Sequence, residues 1–577
     1  MLRLKGFAKA YTWPVLGAVV LLFVQAFSEL ALPGYMSDIV NRGVLQGDTE
    51  EILKLGGFML GVTLLSLCCS VAVGFLASRT AAGVSRDLRR ALFEKVQSFS
   101  NREFDTFSAS SLITRTTNDV TQIQQLLVMM IRMVFYAPIL AVGGFLHALD
   151  KSPSMSWIIG VGVLMVMGIV SLVFTLAIPR FKRIQKIIDR MNAVVRENLE
   201  GMLVIRAFNT RKFEEERFDK VNQELTSVTL FVHRVLSGMM PAMFLLMNLV
   251  TIVVVWVGAG EIAASHLNVG DLMAYIQYVM QIIMAFLFMS MMFIQIPRAS
   301  ISAGRIADVL ETELSVKDVK SDGLPSEGKG EGLLVFEHVS FSYPGAESPV
   351  LKDISFTARP GETTAIIGPT GSGKTTIANL IPRFYDVCEG QITIDGVDIG
   401  KIPLFDLRKK LGFVPQKAML FSGSIRSNLA YGDESAGEGE LLGAAAVAQA
   451  LDFIEEKPEG LDAPIAQKGA NVSGGQKQRL SIARALLREP QIYIFDDCFS
   501  ALDYGTDARL RAALRERTRS AAILMIAQRI HTIRDAAQIL VLDQGRIVGR
   551  GTHQELLQTC GLYREIASSQ LGEGESL

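Results

Sequence analysis

The chain has 577 residues, 49% of them hydrophobic and 20% charged, with a formal net charge of −1 at pH 7. That length exceeds one ordinary domain and argues for several units, and the balanced charge argues against a protein built on nucleic acid, which would carry a basic excess or a basic face. The five cysteines (Cys68, Cys69, Cys388, Cys498 and Cys560) have the spacing of neither a disulfide framework nor a metal site, so they are expected to be reduced and structural.

Basic residues precede an apolar run at the N-terminus, as in a signal peptide. The run is long enough to span a bilayer and no small-residue cleavage pattern follows it, which predicts a retained first helix. Further apolar segments of spanning length lie near residues 55–77, 126–149, 155–178, 239–260 and 271–294, giving six with the first at 13–32. The connections after the second and fourth are long, polar and helix-patterned, and carry most of the basic residues, from Arg79 to Arg115 and from Arg180 to Arg234. "EIAASHLNVG", from Glu261 to Gly270, has no Lys or Arg. The positive-inside rule therefore places both termini and both long connections in the cytosol. Some helices should project well beyond the bilayer, with short cross-helices at their tips near residues 101–115 and 203–213, where small or polar residues break the pattern.

Two ionisable residues stand in the apolar segments, where such groups are costly and face a bundle interior or a wet cavity. Arg132 reads first as an interhelical polar pair or a helix-end residue; for Glu29 that reading and a substrate-cavity contact both stay open. Helices five and six are dense in methionine: Met239, Met240, Met243, Met247, Met273, Met280, Met284, Met289, Met291 and Met292. Most read as packing or lipid-facing positions, and as a set they tilt toward varied hydrophobic substrates.

Residues 1–310 thus read as a transmembrane domain, residues 311–332 as a solvated linker rich in Gly, Ser, Pro and charge, and residues 333–577 as a soluble α/β domain opening on the strand-like "LLVFEHVSFSY". In the last, "TTAIIGPTGSGKTTIANLI" is a buried strand, a glycine-rich turn and a helix start. Gly368, Gly373, Lys374 and Thr375 meet the P-loop pattern, in which backbone N–H groups and a helix N-terminus hold phosphate; Lys374 would reach the β- and γ-phosphates and Thr375 would ligate Mg²⁺. "IYIFDD" is a second buried strand, whose end places Asp496 to hold the Mg²⁺ shell.

"VSGGQ", Val472 to Gln476, lies between these strands and resembles the signature of ATP-binding cassette (ABC) proteins. With Tyr343 in "FSYP", Gln416 in "VPQKAMLF", Asp503 in "SALD" and the six-span layout, the resemblance covers nearly the whole chain. It implies an α-helical six-span transmembrane domain fused to an α/β P-loop nucleotide-binding domain, in the cell membrane with that domain cytoplasmic. It implies ATP held by Tyr343, Gly368, Thr370, Gly371, Ser372, Gly373, Lys374, Thr375 and Thr376, and Mg²⁺ held by Thr375, Gln416 and Asp496. Ser473, Gly474, Gly475 and Gln476 would act in trans on nucleotide bound by another copy of the domain, their helix N-terminus facing the γ-phosphate.

The chain departs from the family pattern at two positions. Asp497 stands where a glutamate polarises the attacking water, and Gln528 stands where a histidine contacts the γ-phosphate. A carboxylate one methylene shorter reaches the water less well, and a glutamine can donate a hydrogen bond without carrying a proton or a charge. The combination resembles the degenerate half of heterodimeric bacterial exporters of the multidrug type. It implies a second half-exporter chain with the consensus Glu and His, and alternating-access export of hydrophobic small molecules or drugs across the lipid bilayer. A lipid or peptide exporter and a nucleotide-gated channel or regulatory subunit are the alternatives.

Overall fold

The structure is a computed structural model describing residues 5–319 and 330–570. The first four residues, positions 320–329 of the expected linker and the side chains of Met291 and Met292 lie outside the described residues. The chain divides into two compact units: Met1–Gln97 with Ala109–Thr312, and Ser98–Ser108 with Glu313–Leu577.

The first unit contains six helical stretches long and apolar enough to cross a membrane. Its principal helices are Thr12–Asp38, Thr49–Gln97, Val120–Met133 followed by Tyr136–Lys151, Ser156–Glu200, Arg211–Ala263 and Val269–Glu311. Ser156–Glu200 has 45 residues, about 68 Å of helix against a hydrocarbon core of about 30 Å. The expected projection beyond the bilayer is therefore present.

Local chemistry sets some boundaries. The Asp48 carboxylate accepts from the backbone N–H groups of Glu50 and Glu51 at 3.0 and 3.1 Å, and so starts the second spanning helix. Leu16, Phe58, Leu172, Leu245 and Ile252 are exposed on this unit, apolar surface that lipid or a second chain must cover. Inside, Leu30, Met155, Met243, Tyr275, Tyr278 and Ile282 are fully buried. Met239, Met247, Met284 and Met289 pack on that core, while Met240 and Met273 face outward. The described methionines thus divide between packing and the outer surface.

In the second unit the strands in chain order are β1 Leu334–Phe341, β2 Leu351–Ala358, β3 Thr363–Ile367, β4 Glu389–Ile394, β5 Val397–Asp398, β6 Leu411–Val414, β7 Gly423–Ser424, β8 Pro464–Ile465, β9 Ile492–Asp496, β10 Ala522–Ile526, β11 Gln538–Asp543 and β12 Arg546–Gly551. β2-β1-β4-β5 form an antiparallel sheet. The larger sheet runs β12-β11-β3-β10-β9-β6, parallel except for β12. All five residues of β9 and all five of β10 are buried, as parallel strands covered on both faces require.

Ile526 of β10 pairs with Ile366 of β3 on one side and with Asp496 of β9 on the other. The carboxyl ends of three adjacent strands therefore lie together, where open parallel sheets place their ligands. The short helix Asn101–Thr106 packs within this unit: its Glu103 carboxylate accepts from the Ser315 backbone N–H at 3.0 Å, and Asp105 accepts from the Tyr385 hydroxyl at 2.9 Å. The other tip, Met202–Ala207 in the first unit, buries none of its residues.

Candidate nucleotide-binding and transport site

The loop after β3 folds onto the N-terminus of the helix Lys374–Leu380. Gly373 adopts φ +104°, a left-handed conformation costly for any residue with a Cβ, and a Cβ at Gly368 would run into the Leu542 carbonyl. At Gly371 a Cβ would meet nothing, so the loop opens outward as a cradle. The Lys374 ammonium donates to the Gly368 and Pro369 carbonyls at 2.8 and 2.7 Å, which holds it across the loop mouth; burial lowers its pKa. The Ser372 hydroxyl is buried without a hydrogen-bond partner among the described residues. Thr370 is exposed on the loop, and the Thr376 hydroxyl meets the Tyr343 hydroxyl at 3.0 Å.

Thr375 Oγ1 donates to Asp496 Oδ1 at 3.2 Å. Burial pushes the Asp496 carboxyl up to about 6, against the Thr375 hydrogen bond and the Lys374 charge, which lower it. Beyond β9, Asp497 turns out of the sheet with φ +46°. Its Oδ2 accepts two amides, from Gln416 Nε2 at 3.2 Å and from Gln528 Nε2 at 2.7 Å. Burial raises this carboxyl too, opposed by the Gln416 hydrogen bond.

Ser473 caps the helix Gly474–Leu487: its hydroxyl oxygen accepts from the Gln476 N–H at 3.2 Å, and the Gln476 side chain accepts from the Ser473 N–H at 3.0 Å. The cap engages the oxygen and leaves the hydroxyl proton to donate. Ser473 and Gly474 are exposed. Asp503 caps the helix Tyr504–Arg517 by accepting from Thr506 N–H at 2.9 Å.

These residues fit Mg²⁺–ATP: an open glycine cradle, an unsatisfied serine hydroxyl, a lysine at the mouth and a Thr–Asp pair of hard oxygen donors. When bound, the pair supplies a phosphoanhydride whose cleavage releases free energy and a cation that neutralises its β,γ-oxygen charge. Ligation of Mg²⁺ by Asp496 would require its carboxylate, and on that assignment Mg²⁺-dependent ATP affinity is expected to fall as pH drops through about 6, by up to about tenfold per pH unit. ATP titrations with Mg²⁺ and with EDTA across that range check this; the fall should be steeper with Mg²⁺ than with EDTA.

Two residues of this region escape sequence reading. Gln478, buried in the signature helix, donates to the Gln416 backbone carbonyl at 3.0 Å and so ties that helix to the metal-side loop. Gln570, at the end of the helix Gly561–Gln570, contacts the backbone on both sides of Arg529. The first had a weak signal, a long polar side chain on a helix whose buried residues are otherwise Leu, Ile, Ala and one Ser. The second had none.

In the membrane unit, Glu29 is a polar junction: it accepts from Gln25 Nε2 at 3.0 Å, from Ser66 Oγ at 3.2 Å and from the Tyr136 hydroxyl. Gln25, Arg132 and Tyr136 also line a cavity of about 90 Å³ whose other walls include Leu22, Val73 and Phe288. All five cysteines are free.

A P-loop site at the carboxyl edge of a parallel sheet, on a chain with six membrane-spanning helices, defines a multi-pass membrane transport ATPase. The ABC transporter transmembrane region family matches residues 15–286, and the ABC transporter family matches residues 351–500. An uncharacterized ABC transporter ATP-binding protein of Mycobacterium tuberculosis is 41% identical over 96% of this chain and 95% of its own length. An ATP-dependent lipid A-core flippase of Pseudomonas aeruginosa is 33% identical over 99% and 96%. The solved structure of a bacterial Atm1-family ABC exporter with ATP bound aligns with a TM-score of 0.80 and 26% identity, over 98% of this chain and 99% of that one. The chain belongs to the ABC transporter family, and is an ATP-driven exporter that moves molecules across a membrane.

These findings overturn one expectation. The chain is not the degenerate half of a heterodimeric multidrug-type exporter that needs a distinct partner chain with consensus Glu and His: the likeness runs end to end to a full-length Atm1-family exporter chain. The physical reason is visible in the chain itself. It carries both a P-loop and a signature helix, so a second identical copy can supply the signature that each P-loop must face.

Proposed function

We propose that two copies of this chain form an exporter of amphipathic, lipid-like molecules. The observation that carries this reading is the end-to-end likeness to a lipid A-core flippase. The cavity in the spanning bundle supports it, since Gln25, Arg132 and Tyr136 face the same space as Leu22, Val73 and Phe288, a lining suited to a polar group joined to an apolar one. Reconstituted into proteoliposomes, the chain is expected to move a headgroup-labelled phospholipid between leaflets only with Mg²⁺ and ATP. ATP-driven uptake of an apolar cationic dye with no lipid movement would instead mark a drug exporter.

Pairing of identical chains is supported by two exposed surfaces. The signature residues Ser473 and Gly474 are exposed, and Leu203 on the helix Met202–Ala207 is 81% exposed. In such a pair each site joins one copy's P-loop to the other's Ser473–Gln476, and both sites contain Asp497 and Gln528. Asp497 is then the carboxylate that orients the attacking water in each. Its shorter reach and the neutral Gln528 make hydrolysis slow.

A further inference from the structure

We infer that Gln570 is a positioning residue that clamps the loop carrying Gln528 and so delivers the Gln528 amide to Asp497. The loop follows β10, and Gln528 and Arg529 are exposed on it. The Gln570 side chain binds this short segment at two points: its Nε2 donates to the Gln528 carbonyl at 2.7 Å, and its Oε1 accepts from the Ile530 N–H at 2.8 Å. One amide thus satisfies a carbonyl and an N–H two residues apart, as a strand neighbour would. The helix bearing it is itself anchored, with Tyr563 and Ala567 fully buried and the Tyr563 hydroxyl 2.7 Å from His553 Nδ1.

On the other side of the loop, Gln528 Nε2 reaches Asp497 Oδ2 at 2.7 Å. The chain of contacts runs from the C-terminal helix to the carboxylate without a gap. Losing the clamp frees the loop backbone and leaves the P-loop and Tyr343 untouched. It should therefore alter turnover and spare nucleotide affinity.

The inference rests on the reading that Gln528 works at Asp497, and the experiment separates the two. In the full-length chain in lipid nanodiscs, Gln570→Met keeps the side chain's bulk and removes both hydrogen bonds. It is expected to lower kcat by about 3- to 10-fold with the ATP KM changed less than about twofold, and to speed amide hydrogen exchange in the segment 528–530. In a Gln528→Ala background the same change should leave kcat where it is. Gln570→Glu keeps the acceptor for the Ile530 N–H but sets a carboxylate oxygen against the Gln528 carbonyl, and should lower kcat at least as far as Gln570→Met. Unchanged exchange, or an equal kcat loss in the Gln528→Ala background, would overturn the clamp. Gln528→Ala alone leaving kcat unaltered would refute the role of Gln528 and with it the delivery to Asp497.

Discussion

Asp497→Asn is expected to lower ATP turnover by about 100-fold or more while ATP affinity changes by less than about threefold. In a pair of identical chains this carboxylate occurs in both sites, and no glutamate from another chain stands in for it. Asp496 pairs with Thr375 and would hold the metal, and Gln528 cannot take a proton. Asparagine keeps an oxygen that can accept from Gln416 and Gln528, so the loop geometry should survive and the loss should appear in kcat. Asp497→Glu should act in the opposite direction, raising turnover by up to about tenfold. The gain is limited because Gln528 still withholds the charge a histidine could carry. Phosphate release at saturating ATP, with nucleotide binding measured in parallel, checks both variants. Retention of most turnover in Asp497→Asn would show that the carboxylate takes no part in hydrolysis.

Much of this architecture is legible in the chain because its signals are local. An apolar run of spanning length has one stable fate in a bilayer, and "GPTGSGKTT" between a buried strand and a helix has few alternatives. Asp496 is likewise placed by the apolar strand that precedes it. Features that depend on distant pairings are not legible. Asp105 meets Tyr385 across 280 positions, and so Ser98–Ser108 belongs with the soluble unit although it sits between membrane helices in the sequence.

Glu29 shows the same limit, since its partners Ser66 and Tyr136 lie 37 and 107 positions away. The expectation of a distinct partner chain failed for another reason. Asp497 and Gln528 report how a site can work, and both read the same whether the facing signature comes from a different chain or from a second copy. The end-to-end likeness to a full-length exporter carries that information.

Lys374→Ala removes the cation at the loop mouth and is expected to reduce turnover by about 100-fold or more, chiefly through lost ATP binding. Ser473→Ala should leave ATP binding to the chain's own P-loop intact and still suppress turnover, because the cap and hydroxyl it removes serve the facing site. Each variant alone is thus inactive, but for different reasons. A pair with one chain of each kind has one site in which both contributions are damaged. In its other site the intact P-loop of the Ser473→Ala chain faces the intact signature of the Lys374→Ala chain.

The most direct measurement is the ATP turnover of that mixed pair, isolated through two different affinity tags. Two identical chains that share their sites should recover turnover well above either variant alone. Turnover no higher than that of the single variants would contradict the composite site and the pairing of this chain with itself.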